Sequence, residues 1–232
     1  LSVEKSLRKR KFFSIIKNKI SAIFVSKYLK NKTSKVYLFN KRVIINNFLS
    51  KKFQIQNLNY NRKKIIVWSV QRDKGLNETI EMWIKKVHPK NPKLSFYIFG
   101  IDKNKYKNRI KYLKNFNIHF FGRITKNELK NTYSKSLAMI CLGYDETFCL
   151  NALEANACGL PLLTFGKTAL KDYAINNFNS YIIKDYDDLS KKINLISNKK
   201  INKKIIINSF NKSKAYRLEK VIKLWINFIR KI

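Results

Sequence analysis

"DETFCLNALEANACGLP", Asp145 to Pro161, places two glutamates in a chain where acidic residues are scarce. Between Glu146 and Glu154 a polar loop becomes an apolar helix, which stops at Gly159-Leu160-Pro161. The helix is expected to begin near Thr147–Phe148. Eight residues turn an α-helix through about 800° and advance it about 12 Å, so the two carboxylates face broadly the same side, far apart. That is longer than the roughly 5–9.5 Å separating the carboxyl pair of a glycosidase. It suits a long ligand held at two points. The helix N-terminus between them turns N–H groups and a positive dipole end toward phosphate. A nucleotide-diphosphate sugar has the matching order: sugar hydroxyls at Glu146, phosphates at the amides of Phe148, Cys149 and Leu150, and ribose at Glu154. The plainer alternative is a helix-entry glutamate favoured by the dipole, plus a solvated one.

Around this stretch the pattern alternates. Strands are expected at Ile65–Val70, Leu94–Gly100, Ile118–Gly122, Leu137–Gly143, Pro161–Gly166 and Ser180–Lys184. Helices are expected at Leu76–Val87, Lys105–Phe116, from Thr125 with Glu128 completing a capping box, and at Asp187–Ile196. Strand and helix in turn, with short links, give βαβ units and a doubly wound α/β domain with a parallel sheet. Ligands of such sheets sit at the carboxyl ends of the strands. Gly100, Gly122, Gly143 and Gly166 fall there, where turn chemistry or close approach of a ligand asks for glycine.

The 232 residues carry Lys+Arg 50 against Asp+Glu 14, a formal charge of +36. Lysine dominates and is spread along the chain. Base readout favours arginine and concentrated charge, so a nucleic-acid partner is not expected; peripheral contact with an anionic membrane stays open. Cys141, Cys149 and Cys158 form no C-x-x-C pair and fit reduced cytoplasmic thiols. His88 and His119 stand apart from them, so no metal site is expected. Phe12–Val25 is too short and too charged to span a bilayer.

A second cluster, "QRDKGL" (Gln71–Leu76), follows the first strand of the domain and opens its first helix. Arg72 and Lys74 would direct cations to the edge where a diphosphate lies, although ordinary surface charge is the alternative in so basic a chain. Neither a P-loop nor a G-x-G-x-x-G is present.

From about Lys19 to Ile196 the sequence resembles the donor-binding half of GT-B glycosyltransferases of the family 1/family 4 type. Four segments carry the resemblance: "VIINNFLSKKF", "DKGLNETIEMW", "FFGRITKNELKNTYSKS" and "ETFCLNALEANACGLPLL", the last holding an E-x7-E motif. The resemblance implies a retaining transferase that uses a nucleotide-diphosphate sugar and requires no metal or other cofactor. It assigns Lys74 to the diphosphate, Glu146 to the donor sugar, Glu154 to the ribose, and Arg123 and Ile124 to the border of the base. Three positions depart from the family pattern. Ser69 stands where an arginine is usual, with Arg72 as a substitute from another angle. Cys149 replaces a glycine and is expected to crowd the phosphate approach. Asn47 replaces another glycine, and asparagine also tolerates left-handed backbone.

The resemblance also divides the chain. Residues 1–53 read as the incomplete end of an N-terminal acceptor domain, 54–64 as a polar linker, 65–212 as the donor-binding domain, and 213–232 as an amphipathic helix crossing back. The chain starts at Leu1, which suggests a fragment. A glycan or lipid-linked acceptor, as in bacterial surface polysaccharide or glycolipid synthesis, would then bind through a missing domain, and this chain alone is expected to bind donor and transfer nothing. The alternatives are a nucleotide-sugar epimerase on the same fold, a non-catalytic basic module binding anionic membrane or nucleic acid, and an inactive relic.

Overall fold

The computed structural model describes residues 21–34, 39–69, 75–144, 146–198 and 202–231. Two short strands, β1 (Ser21–Phe24) and β2 (Lys41–Ile44), pair in parallel and are joined through helix α1 (Lys27–Ser34). Residues 54–64 then lead, without a regular element, into β3 (Ile65–Trp68). The larger unit continues with α2 (Leu76–Met82), β4 (Ser95–Phe99), α3 (Lys107–Lys114), β5 (Ile118–Gly122), α4 (Lys126–Lys135) and β6 (Ala138–Ile140). It closes with α5 (Leu150–Ala157), β7 (Leu162–Thr164), β8 (Ser180–Ile182), α6 (Tyr186–Asn198), α7 (Lys203–Ser213) and α8 (Leu218–Ile229). The last six strands form one sheet in the order β5-β4-β3-β6-β7-β8, and every neighbouring pair is parallel.

The sequence of β3 explains its central place. Ile65, Ile66, Val67 and Trp68 are all buried. Alternate side chains of a strand point to opposite faces, so a strand covered on both sides must be apolar throughout. Ile66 and Trp68 join the core beneath α2 with Leu76, Ile80 and Trp83. Ile65 and Val67 join the other core with Ala152, Leu153 and Ala155 of α5. These two layers, one on each face, are the doubly wound arrangement that the alternation predicts.

Several elements differ from expectation in detail. The helix from Leu76 ends its α-form at Met82 and widens into a π-type turn over Trp83–Val87, where the Trp83 ring stacks on Phe96 at 4.9 Å. A 3-10 turn, Lys103–Tyr106, precedes α3. Helix α7 was not expected. Its buried positions are Ile205, Ile206, Ser209 and Ser213, and small serines on the inner face mask the apolar period. Asn47 does not take the left-handed backbone that its place in the family pattern suggests. Helix α8 returns toward the first sheet, where Lys41 Nζ donates to the Lys231 carbonyl at 2.7 Å. Its outer side carries the exposed Ile222, Trp225, Ile226 and Ile229. Among the described residues no helix is long and apolar enough to cross a membrane.

The capping box at α4 forms as the sequence predicts. Thr125 Oγ1 accepts from the Glu128 N–H at 3.2 Å, and the Glu128 carboxylate accepts from the Thr125 N–H at 2.8 Å. The Thr125 contacts lower the Glu128 pKa. This contribution is therefore present above the unfolded carboxyl value and lost as pH falls through the lowered folded value. Thr125→Ala is expected to cost about 1 kcal/mol of unfolding free energy in a urea titration.

Candidate functional site

The strand order reverses between β3 and β6. The chain runs outward from β3 to β4 and β5, then resumes at β6 on the other side of β3. Such a switch opens a crevice at the carboxyl ends of the two strands. The loops leaving β3 and β6 are those that hold "QRDKGL" and "DETFCLN".

The loop after β3 begins at Ser69, which is buried, its hydroxyl hydrogen-bonded to the Tyr133 phenol. Ser69 is thus a packing residue where the family pattern has an arginine. Its carbonyl accepts from Asn151 Nδ2, which ties β3 directly to the first turn of α5. Arg72 and Lys74 lie outside the described residues. Gly75, at φ 82°, enters α2. A Cβ there would come within 2.7 Å of Leu142 and 2.9 Å of the Tyr144 ring, so the two loops meet closely.

The loop after β6 carries the first stretch quoted. The helix begins at Leu150, not near Thr147–Phe148, because Cys149 has left-handed φ and ψ of 62° and 73° and cannot continue a right-handed helix. A non-glycine residue stores strain in this conformation. Tyr173 Oη donates to the Cys149 carbonyl at 3.3 Å and holds it in place. The Cys149 thiol points inward, with its Sγ 3.3 Å from Cys141 Sγ. The thiol is thus turned into the core, whereas the sequence suggests a side chain that crowds a phosphate. The hydrogen bond with Cys149, followed by burial, pushes the Cys141 thiol well above its usual pKa, and burial pushes Cys158 up to about 12. Phe148 is buried as well, its ring edge-on to Tyr216 at 5.8 Å. Only backbone groups of Phe148 and Cys149 are therefore left for a ligand. No side chain caps α5, and Leu150 at its first turn is exposed. Cys149→Gly is expected to leave stability within about 1 kcal/mol, as relief of left-handed strain offsets the lost thiol packing; thermal unfolding checks this.

Glu154 lies further along α5 and is 7% exposed. Lys126 Nζ approaches its Oε1 at 3.9 Å. Burial raises the Glu154 pKa, and Lys126 opposes the rise. The contact also brings the start of α4, just beyond Arg123 and Ile124, up to α5. Arg123 is exposed, whereas Ile124 is partly buried and packs on the core that includes Phe148. Gly100, after β4, donates its N–H to the Gly122 carbonyl at 2.8 Å and joins the two outer loops of the same edge. Glu146 is partly buried, and its carbonyl accepts from the Ala169 N–H at 3.2 Å.

The fold thus gathers Glu146, the 148–150 backbone, Glu154, Gly100, Arg123 and Ile124 along one sheet edge. Sequence reasoning passed over Lys126, Asn151, Tyr173 and Tyr133, which position this edge. Asn151 alone left a signal, as a polar residue in an otherwise apolar helix turn. Among the described residues no cluster of three or more metal-ligand side chains occurs.

Residues 50–212, more than half of the chain, match the family model for glycosyl transferases group 1. An uncharacterized glycosyltransferase of Methanocaldococcus jannaschii is 26% identical over 228 residues, covering 96% of this chain and 63% of that protein. A sucrose-phosphate synthase of Thermosynechococcus elongatus superposes with TM-score 0.77 at 18% identity, over 98% of this chain and 61% of its own. A mutant of TarM from S. aureus, solved with fondaparinux, alpha-GlcNAc-glycerol and UDP, superposes with TM-score 0.73 at 19% identity, over 95% of this chain and 46% of its own. The HepE protein of Anabaena, solved with UDP and glucose, superposes with TM-score 0.75 at 12% identity, over 98% of this chain and 68% of its own. At these identities the superpositions establish the fold, and the chain spans about half to two thirds of the length of these relatives. The matched family model, together with the six-stranded parallel sheet, places this chain among the group 1 glycosyl transferases.

Proposed function

We propose that this chain is the donor-binding portion of a retaining glycosyltransferase that uses a nucleotide-diphosphate sugar. The observation that carries the proposal is the uncapped N-terminus of α5, with Glu146 before it in the chain and the buried Glu154 after it, at the point where the sheet order reverses. Glu154, largely buried within reach of Lys126, accepts from the ribose hydroxyls. The backbone N–H groups at Cys149–Leu150 receive the diphosphate, and Glu146 accepts from the donor sugar. Arg72 and Lys74 add positive charge from the loop after β3, while Gly100, Arg123 and Ile124 border the base.

Transfer breaks the bond between the anomeric carbon and the diphosphate oxygen. The acceptor oxygen forms its bond on the same face, and its proton leaves with the diphosphate. Fixed positive ends and cations aimed at the departing charge stabilise that transition state. The acceptor is a glycan or lipid-linked glycan of a bacterial surface polysaccharide or glycolipid. The enzyme works in the cytoplasm, at the inner face of the membrane, with the acceptor domain completing the cleft.

A titration of this chain with UDP-, GDP- and ADP-sugars tests the donor reading, with Lys74→Ala and Glu154→Ala as controls. Saturable binding of one nucleotide class that both substitutions weaken at least about tenfold supports it. Binding that ignores both substitutions counts against it.

A further inference from the structure

A second opening faces the donor loop. A cavity of about 580 Å³ lies between α1 and the 3-10 turn Thr168–Asp172, which follows β7. That turn is bonded to two points of the loop leaving β6. Thr168 Oγ1 donates to the Gly143 carbonyl at 2.6 Å, and the Ala169 N–H donates to the Glu146 carbonyl at 3.2 Å. A group held in the cavity therefore lies beside the backbone of the loop that carries Glu146.

The walls are cationic. Lys27 and Lys32 of α1 and Lys171 of the turn line the cavity. Among the described residues its one acidic lining residue is Asp172, whose carboxylate accepts from the N–H groups of Lys27, at 2.6 Å, and Tyr28, at 3.3 Å. Asp172 is thus committed to the start of α1. Among the described residues, no carboxylate lies within salt-bridge distance of the three lysines; Lys32 sits over the Tyr28 ring at 5.7 Å. Lysine is common everywhere on this chain, so the contrast with another lysine-lined hollow is informative. There two of the four lining lysines are paired, Lys85 with Glu81 at 3.9 Å and Lys86 with Asp187, whereas none of the three lysines here has such a partner among the described residues.

Thr168 adds an independent sign. It holds φ at 56°, a left-handed backbone that a β-branched residue rarely adopts. Strain of this kind persists where the surroundings enforce it, and it concentrates at functional sites.

From these features we infer that the cavity between α1 and the Thr168–Asp172 turn receives the acceptor, and that the acceptor bears a phosphate-class anion. The inference rests on the donor reading above and names the chemistry on the other side of the same transfer. Three unmatched ammonium groups recognise the anion and hold its neighbouring hydroxyl beside the donor sugar. Among the described residues no arginine lines the wall, so recognition there is by charge and not by bidentate geometry.

The test uses this chain at physiological salt, where diffuse surface charge is screened. Glycerol 3-phosphate probes a soluble phosphate, phosphatidylglycerol vesicles probe a lipid headgroup, and glycerol and phosphatidylcholine vesicles are the neutral controls. Each is titrated against the unaltered chain and against Lys27→Gln/Lys171→Gln, with UDP binding measured in parallel. The expected result is saturable binding of one phosphate probe but not of its neutral control. It weakens about tenfold or more in the double variant, as loss of two nearby cations requires. UDP affinity stays within about twofold, since neither lysine touches the donor crevice. Whichever phosphate probe responds identifies the source as soluble or lipid. Equal binding by the variant, or by the neutral control, overturns the inference. Parallel loss of UDP binding also overturns it by returning the lysines to the donor. Lysine-dependent phosphate binding by a chain that does not bind UDP refutes the donor reading, and the acceptor role with it.

Discussion

Glu154→Gln is expected to weaken UDP binding by about 10- to 100-fold, the worth of hydrogen bonds to a charged partner, and at the same time to raise the thermal midpoint of the free chain. The two effects have one cause. A carboxylate that is 7% exposed, with a single lysine at 3.9 Å, is held where water cannot fully solvate it. Burial raises its pKa above the ordinary value. A raised folded pKa means that the folded chain binds this proton more tightly than the unfolded chain does. Stability from this group is full below the unfolded pKa and is lost as pH rises through the folded value. At neutral pH the charged form is a standing cost, which an isosteric amide removes. The stability of Glu154→Gln should therefore gain on the parent as pH rises from acid to neutral. Thermal unfolding across that range, paired with calorimetric titration of UDP, separates a ligand-binding carboxylate from a structural one. A structural carboxylate would lose stability on substitution and leave UDP affinity unchanged.

Arg62→Ala is expected to lower unfolding free energy by about 3–5 kcal/mol in a urea titration, enough to threaten a domain of ordinary stability. Arg62 lies in the segment that the sequence presents as a polar linker, yet it is only 9% exposed. Its Nη1 donates to the carbonyls of Tyr133, at 2.8 Å, and Ser136, at 3.3 Å. Its Nη2 donates to those of Cys158, at 3.1 Å, and Gly159, at 3.3 Å. One guanidinium thus serves the carboxyl ends of α4 and α5, where helix dipoles favour a cation. Burial lowers its pKa to about 10, so it remains charged at neutral pH. Truncation strips a charged donor from four carbonyls and opens a void beside Gly159, whose absent Cβ would lie 3.1 Å from Nη2. Arg62→Lys should recover only part of the loss, because an ammonium cannot span both helix ends in one plane.

The sheet was legible because its residues obey simple periodicities. β3 reads as four consecutive apolar residues, and α4 announces itself by Thr125 and Glu128. Helix α7 was hidden because Ser209 and Ser213 occupy inner positions that the apolar rule expects to be hydrophobic. Arg62 was hidden because a charged residue in a polar stretch looks solvated until its four carbonyl partners are folded around it. At the candidate site, the order of Glu146, the helix start and Glu154 was readable along the chain. The true start of α5 was not, since nothing in the letter Cys149 declares a left-handed backbone. The Lys126–Glu154 approach was equally invisible, because it joins two helices through tertiary packing alone.

The most direct test of the central claim is amide chemical-shift mapping of this chain with UDP at physiological salt. The account predicts the largest shifts at Cys149, Leu150 and Asn151, with further shifts at Gly100, Arg123 and Ile124, all suppressed by Glu154→Gln. Shifts scattered over the lysine-rich faces, indifferent to Glu154 and fading as salt is raised, would contradict it and leave a polyanion-binding surface in place of a donor site.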